Sequence, residues 1–168
     1  MGKVKNLVNT GAIEKIKELA KDADMCLFTT ALTHLPLSAR PMSTQDVDED
    51  GNIWFFSGKT SDKNTHIEID NRVQLFYANK GASEYLSIYG EAEILHDRTK
   101  IEELWGPLLK TWFNGGKDDP ELTLIKVKPL DAYYWDTKSN SVVALLKMVV
   151  GAVTGKEMDD SVEGKIKV

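Results

Sequence analysis

The apolar positions near the start of the chain recur at helical spacing. They lie three or four residues apart, and lysine and glutamate fill most of the positions between them: Ile13, Ile16, Leu19, Ala20 and Ala23. This spacing predicts an amphipathic helix that covers a core with one face. Asn9 or Thr10 is the expected N-cap residue of that helix.

The apolar residues that follow form short runs that are typical of β-strands. Residues 25–33 are almost all apolar or threonine, which predicts a strand buried on both faces. Gly90 lies inside a long run and predicts a bulge or a sharp bend there. Further strands are predicted at 38–44, 53–57, 72–79, 84–95, 122–128 and 132–136.

An acidic turn at 48–52 separates the strands predicted at 38–44 and 53–57. Its Asp50-Gly51 pair supplies the positive φ angles that tight hairpins require, so these two strands are expected to pair. Ser61 and Asp97 are expected to cap two further helices. The whole pattern predicts six or seven strands and about four helices.

The end of the chain has a different pattern. Residues 139–153 are densely apolar, which predicts a helix docked on another surface. Residues 156–168 have mixed charge and few apolar anchors, so a flexible tail is expected there. Residues 1–155 are expected to form a single domain, because a chain of 168 residues is long enough to build one hydrophobic core.

Composition and charge exclude several classes of protein. The net charge of −5 and the pI near 5.3 argue against nucleic-acid binding, which requires a basic surface. Cys26 is the only cysteine, so no intrachain disulfide is possible and a reducing compartment is expected. No apolar run approaches the roughly 20 residues of a membrane span. The sequence therefore predicts a soluble, cytoplasmic protein with no membrane partner.

The segment from Ser38 to Lys63 carries the candidate chemistry. Arg40 lies in one predicted strand, and small donors and a cation follow the next: Ser57, Gly58, Thr60, Ser61 and Lys63. Cations, hydroxyls and the N–H groups at a helix start all favour a phosphate group. The alternative is that residues 60–63 form only a turn and a capped helix on a solvated surface.

The order of motifs along the chain resembles the FMN-binding split-barrel family related to pyridoxamine-phosphate oxidases, and within it the bacterial general stress proteins. The motifs are ARPM, DEDGNIWFFSGKTSDK, RVQLFYAN, EYLSIYGEAEIL, LWGPLLKTWFNGG and LTLIKVKPLDAYYWD, and the resemblance as a whole covers residues 10 to 137. This resemblance implies a mainly β fold with flanking helices, a six-stranded antiparallel split β-barrel. It also implies a homodimer that holds FMN at the subunit interface, with FAD or a deazaflavin as the less favoured cofactor.

The resemblance also implies which residues contact the cofactor. Arg40 and Lys63 would hold the phosphate, although Asp62 stands where related proteins often carry an arginine. Trp112 and Phe113 would approach the flavin from the other subunit. The complete set of cofactor-binding residues implied is Arg40, Pro41, Met42, Phe55, Phe56, Ser57, Thr60, Ser61, Lys63, Glu84, Ser87, Trp112 and Phe113.

No catalytic residue is assigned from the sequence. His34, His66 and His96 show neither metal-ligand spacing nor an adjacent nucleophile, so no metal site is predicted. A flavin would supply the redox chemistry itself. The candidates are an FMN-dependent oxidoreductase acting on an unidentified small molecule or electron donor, a flavin-binding stress or sensor protein without defined turnover, a genuine pyridoxamine-phosphate oxidase, and a barrel that has lost its cofactor.

One segment argues against efficient pyridoxamine-phosphate oxidation. Residues 131–137 correspond to the stretch that helps such oxidases to hold the substrate phosphate. Here that stretch contains two carboxylates, Asp131 and Asp136, and no cation. A substrate dianion is therefore expected to be repelled rather than held.

Overall fold

The computed structural model describes residues 3–137 and 161–167, and it shows a mainly β architecture with three α-helices among those residues. The helices are α1 (Asn9–Ala23), α2 (Asp62–Ile69) and α3 (Arg98–Leu104), and two short 3-10 helices span Pro107–Thr111 and Gly116–Asp118. The strands are β1 (Lys3–Val4), β2 (Leu7–Val8), β3 (Met25–Thr30), β4 (Ser38–Ser43), β5 (Asp46–Val47), β6 (Ile53–Gly58), β7 (Arg72–Asn79), β8 (Glu84–Leu95), β9 (Leu122–Thr137) and β10 (Ser161–Lys167).

The ten strands form one sheet with the order β1-β10-β9-β8-β7-β3-β4. The long strand β9 joins its two parts, because β6 pairs with the first half of β9 and β10 with the second. The predicted bend at Gly90 is confirmed by a shift of register between β8 and β9 after Tyr89. A Cβ atom at Gly90 would lie 2.4 Å from the carbonyl oxygen of Lys128, so only glycine fits this crossing.

The strand count and one strand pairing differ from the expectation. The described sheet has ten strands rather than the six or seven expected. The turn at 48–52 joins the short strand β5 to β6, whereas β4 pairs with β3 and is the last strand in the order of the sheet. The expected pairing of β4 with β6 is therefore wrong, because the chain uses the two residues of β5 as the hairpin partner. The sheet is open between β4 and β6.

The main core lies between α1 and the sheet. The buried residues of α1 are Ala12, Ile16, Leu19 and Ala20. Ile16, Leu19 and Ala20 were predicted, whereas Ile13 and Ala23 are only half-buried. Val8 takes the N-cap position instead of Asn9 or Thr10, and no side chain caps the helix. Phe28 and Phe55 pack edge to face in this core, with ring centroids 5.2 Å apart. Neither α1 nor another helix of the described ranges has the length and apolar content needed to cross a membrane.

A second core lies on the other side of β6 and β9. It is built from buried side chains of β6, β9, α3 and the loop before β9: Trp54, Phe56, Ile101, Phe113, Leu122 and Leu124. The predicted cap of α3 is confirmed, because the Asp97 side chain accepts a hydrogen bond from the Lys100 N–H. This core fixes the end of β6 from which the chain enters α2.

The tail expected to be flexible contains a strand. Residues 161–167 form β10, which pairs antiparallel with β9 and parallel with β1 and β2. Gly164 permits this crossing, since a Cβ atom there would lie 2.1 Å from the carbonyl oxygen of Lys5. The expectation was wrong for these residues because alternate positions of β10 become buried only when the distant N-terminal segment packs on them. The helix predicted at 139–153 lies outside the described residues.

Candidate functional site

Arg40 lies on the terminal strand β4, and its guanidinium is held by three acceptors. Nη1 donates to the Thr30 hydroxyl at 2.8 Å and to the Phe28 carbonyl at 3.2 Å, and Nη2 donates to the Ser38 hydroxyl at 2.6 Å. A guanidinium carries five N–H donors. The Nε hydrogen and one Nη2 hydrogen of Arg40 are therefore without an acceptor among the described residues, and they are available to a ligand.

The start of α2 places a second cation near Arg40. Burial lowers the pKa of Lys63, and the neighbouring positive charge of Arg40 lowers it further, while Asp62 acts in the opposite direction. Burial also lowers the pKa of Arg40, again opposed by Asp62. Neither cation forms a salt bridge with a described residue. Two partly desolvated cations that repel each other and form no salt bridge favour an anion between them.

The backbone of the first turn of α2 adds donors to these cations. Ser61 takes the N-cap position, as predicted, but its side chain makes no capping bond. The N–H groups of Asp62 and Lys63 have no acceptor within the part of the chain that the structure describes. Such N–H groups and the positive end of the helix dipole favour an anion. The candidate anion site consists of Arg40, Ser61, Lys63 and these two N–H groups.

A buried polar network anchors this end of α2 to the sheet. The Ser57 hydroxyl donates to the Asn64 side-chain oxygen at 2.6 Å, and the Asn64 amide donates to the Thr123 hydroxyl at 3.1 Å. Thr123 in turn donates to the Ser57 carbonyl at 2.9 Å. Ser57 is therefore a buried support of the site, and its hydroxyl lies 3.3 Å from that of Ser61. Asn64 was not predicted to support the site. The feature that could have indicated it is a polar residue on the inner face of α2.

Thr60 was expected to donate hydrogen bonds to the phosphate, but both of its donors bind another residue of the protein. Its backbone N–H and its hydroxyl both donate to the same oxygen of Glu121, at 3.1 Å and 2.6 Å. Both donors are therefore satisfied within the protein. The site is built from Arg40, Ser61 and Lys63 rather than from Thr60.

Four of the residues expected to bind the cofactor differ in their exposure. Pro41 is exposed on β4, whereas the Met42 side chain is buried in the main core. Phe55 is fully buried, and Phe56 packs against Trp105 and Phe113. The side chains of Phe55 and Phe56 thus support the core of the fold.

Trp112 and Phe113 have opposite environments. Trp112 is 80% exposed, whereas Phe113 is only 7% exposed and belongs to the second core. Glu84 lies near α1, where burial raises its pKa and Asn79 donates to its carboxylate at 3.0 Å. Ser87 accepts a hydrogen bond from Gln74 in the middle of the sheet. Within one chain, Glu84 and Ser87 lie on β8, separated from β4 by β3 and β7.

The outer face of the sheet carries exposed apolar side chains that sequence analysis missed. We call Leu27, Phe76, Tyr85 and Trp135 the aromatic face. Leu27 lies opposite Phe76 on the neighbouring strand, and Tyr85 lies opposite Trp135. A groove of about 480 Å³ is lined by Phe76, Tyr85, Trp135 and Ser87. The alternation along β7, β8 and β9 could have indicated this face, because it places these side chains on the side of the sheet opposite the buried side chains.

Contiguous exposed apolar side chains are a general feature of protein contact surfaces. Ser87 also lines a smaller pocket of about 120 Å³ beside the groove, together with Gln74, Tyr133 and Lys165.

Within residues 3–137 and 161–167, no group of three or more histidine, cysteine, aspartate or glutamate side chains could hold a metal ion.

Comparison with known proteins defines the family. Residues 11–159 match the family model described as pyridoxamine 5'-phosphate oxidase like, so the chain belongs to that family. Its similarity to general stress proteins, expected from the sequence, is also confirmed.

Two curated relatives are similar over part of their length. Protein bli-3 of Neurospora crassa is 31% identical over 108 residues, which cover 60% of this chain and 50% of that protein. General stress protein 26 of Bacillus subtilis is 30% identical over 90 residues, which cover 49% of this chain and 64% of that protein. The chain thus spans half the length of the first relative and less than two thirds of the second.

Among the solved structures, one example is similar over most of both chains. It is the general stress FMN/FAD binding protein from Xanthomonas citri, with 27% identity and a TM-score of 0.65. The match covers 77% of this chain and 90% of that chain. The likeness supports the mainly β architecture described above.

Proposed function

We propose that the protein is a homodimeric FMN-binding flavoprotein that exchanges electrons with a small molecule. The observation that carries this proposal is the pair of cations formed by Arg40 on β4 and Lys63 at the start of α2, which have free N–H donors beside them and form no salt bridge with a described carboxylate. This donor set fits a phosphate group, which is the part of FMN that riboflavin lacks. The flavin, when bound, supplies the redox chemistry through its own ring.

The residues of this chain would bind and orient that cofactor. Arg40 and Lys63 would neutralise the phosphate, and the N–H groups of Asp62 and Lys63 would donate to its oxygens. The opening of the sheet between β4 and β6 is the split of the proposed barrel, and Pro41 at this edge would lie beside the ring. Asp62 reduces the positive charge of the site, which favours moderate rather than very tight phosphate binding.

The proposed dimer completes the site. The aromatic face exposes large apolar side chains at the centre of a sheet, and this costs free energy unless a second surface covers them. A second copy of the chain would cover Phe76, Tyr85 and Trp135 and would bring Trp112 and Ser87 towards the flavin of its partner. An interface of this type buries about 800 Å² on each subunit.

A second candidate function is flavin binding without defined turnover. The observation that favours it is the composition of the anion site, where the described residues provide cations and hydroxyls but no paired acid and base. A proton-coupled reaction on a substrate normally uses such a pair. This candidate shares the cofactor and the dimer with the first one.

The test begins with the visible absorption spectrum of the purified protein after incubation with FMN and removal of free flavin. We expect a bound chromophore, released by denaturation and identified by mass as FMN rather than FAD or a deazaflavin. Absence of bound flavin after reconstitution would contradict the proposal. Steady-state oxidation of reduced nicotinamide by the reconstituted protein then distinguishes an oxidoreductase from a flavin-binding protein without turnover.

A further inference from the structure

Thr30 connects the candidate anion site to a histidine on α2. Thr30 is the last residue of β3 and is fully buried. Its hydroxyl accepts a hydrogen bond from Arg40 Nη1 at 2.8 Å and lies 2.9 Å from Nδ1 of His66. The three residues come from β3, β4 and α2, so this chain of hydrogen bonds links the elements that surround the site.

The chemistry of the three groups fixes the direction of these hydrogen bonds. A guanidinium can only donate, so the Thr30 oxygen accepts from Arg40. The Thr30 hydroxyl must then place its own hydrogen, and His66 Nδ1 is its sole acceptor within the described ranges. A buried donor without an acceptor is costly. His66 Nδ1 therefore carries no hydrogen and accepts from Thr30, and the neutral His66 ring is protonated at Nε2.

We propose that Thr30 and His66 are positioning residues that hold the Arg40 guanidinium for a phosphate and so set the preference for FMN over riboflavin. This inference rests on the proposed function. Thr30, Phe28 and Ser38 occupy three of the five donors of Arg40, which leaves the remaining donors in one fixed orientation. A donor held in place loses less conformational entropy on binding than a mobile arginine side chain does.

The decisive variant is Thr30→Val, which removes the hydroxyl and keeps the shape of the side chain. We expect it to raise the dissociation constant for FMN about tenfold, the effect of losing one hydrogen bond of ordinary strength. The dissociation constant for riboflavin should stay within about twofold, because riboflavin has no phosphate. Thr30→Ser keeps the hydroxyl and should restore FMN binding. His66→Phe removes the acceptor of the Thr30 hydrogen and should weaken FMN in the same selective way.

The matched control is Thr29→Val, the same substitution at the neighbouring residue of β3. Successive side chains of a strand point to opposite faces, so this variant leaves the Arg40 contacts intact. It should change the binding of neither flavin. If Thr30→Val weakens FMN and riboflavin equally, or leaves both unchanged, Thr30 does not position Arg40 for a phosphate and the inference is wrong.

A measurement without flavin separates this inference from the proposed function. In nitrogen-15 NMR spectra, the Arg40 guanidinium should show restricted rotation in the wild type and in Thr30→Ser, and free rotation in Thr30→Val. His66 Nδ1 should give the signal of an unprotonated ring nitrogen. Unchanged Arg40 rotation in Thr30→Val would overturn the positioning role. A wild type that shows these signals but binds no flavin would instead refute the proposed function and leave the positioning of Arg40 standing.

Discussion

The hydroxyl of Ser57 donates to the buried side-chain oxygen of Asn64 at 2.6 Å, and this contact ties the first turn of α2 to β6. Asn64 is 1% exposed and also donates to Thr123. Its amide therefore satisfies polar groups from two strands at once. A network of this kind stabilises the fold only while every member keeps its partner.

Asn64→Ala is expected to lower the free energy of unfolding by about 1–3 kcal/mol, because Ser57 and Thr123 would keep buried polar groups without a partner. Chemical denaturation monitored by circular dichroism measures this change. Asn71→Ala is the control, since Asn71 is exposed and its side chain makes no hydrogen bond to a described residue. Equal stability of the two variants would show that the network contributes little.

Arg40→Ala and Lys63→Ala should each raise the dissociation constant for FMN by about ten- to a hundredfold, because each removes a charge-assisted hydrogen bond. Fluorescence titration with FMN and with riboflavin measures the change, and riboflavin binding should be nearly unaffected. Arg72→Ala and Lys59→Ala are matched controls, because both side chains are exposed. An equal loss of riboflavin binding would mean that Arg40 and Lys63 support the fold rather than the phosphate.

Trp135→Glu should weaken the proposed dimer by at least about tenfold, because it places a charge in the aromatic face. Sedimentation velocity over a range of concentrations measures the association. Leu108→Glu changes a side chain that is 82% exposed but outside the aromatic face, and it should leave the dimer intact. A wild-type monomer that binds flavin stoichiometrically would refute the proposed interface.

Asp48 gives the hairpin between β5 and β6 a defined pH dependence. Burial alone would raise the pKa of Asp48, but hydrogen bonds from Trp54, Asn52 and the Asp50 N–H outweigh it and lower the pKa. A depressed pKa in the folded state stabilises the fold above the unfolded value, near 3.9, and the stabilisation disappears as the pH falls through the folded value.

The free energy of unfolding of the wild type should therefore exceed that of Asp48→Asn at neutral pH, and the difference should shrink as the pH falls below about 4. Denaturation curves at several pH values measure this. Asp50→Asn is the control in the same turn, since no described residue donates to its carboxylate. A difference between wild type and Asp48→Asn that is independent of pH would contradict the assignment.

Pyridoxamine phosphate should not be oxidised at an ordinary enzymatic rate of about 1 per second or more. The segment expected to face the substrate phosphate divides between the two faces of the sheet. Asp131 lines the small pocket together with Tyr133 and Lys165, whereas the Asp136 carboxylate is paired with Lys15 of α1. A direct assay at saturating FMN measures pyridoxal phosphate formation. Reduction of the bound flavin by dithionite confirms that the cofactor is competent. A rate at or above this value would show that Lys165 or another cation replaces the missing ones.

The parts of the fold and site that could be predicted depend on local patterns. The buried face of α1, the cap at Asp97 and the bend at Gly90 follow from residues a few positions apart. Arg40 and Lys63 were singled out because each lies in a motif of the family resemblance, Arg40 in ARPM and Lys63 in DEDGNIWFFSGKTSDK. Thr30 and His66 are 36 positions apart, and Thr60 and Glu121 are 61 apart. Such contacts depend on how β3, α2 and β9 pack, which no local spacing determines.

The mispaired hairpin has the same origin. The turn at 48–52 was recognised, and Gly51 has the positive φ angle that the turn needs. A turn determines only which residues flank it, however, and the two-residue strand β5 was too short to show a period. The apolar pattern could not show whether β4 continues into the hairpin or ends before it.

The pairing of β10 with the N-terminal strands β1 and β2 has a consequence for synthesis on the ribosome. The Lys165 N–H donates to the Asn6 side chain across 159 positions, and the Tyr134 hydroxyl donates to the Lys5 carbonyl. β1 and β2 emerge first, but their pairing partner is translated only after β9. They therefore lack this partner until β10 has been translated, and we expect this edge of the sheet to close after the rest of the described fold.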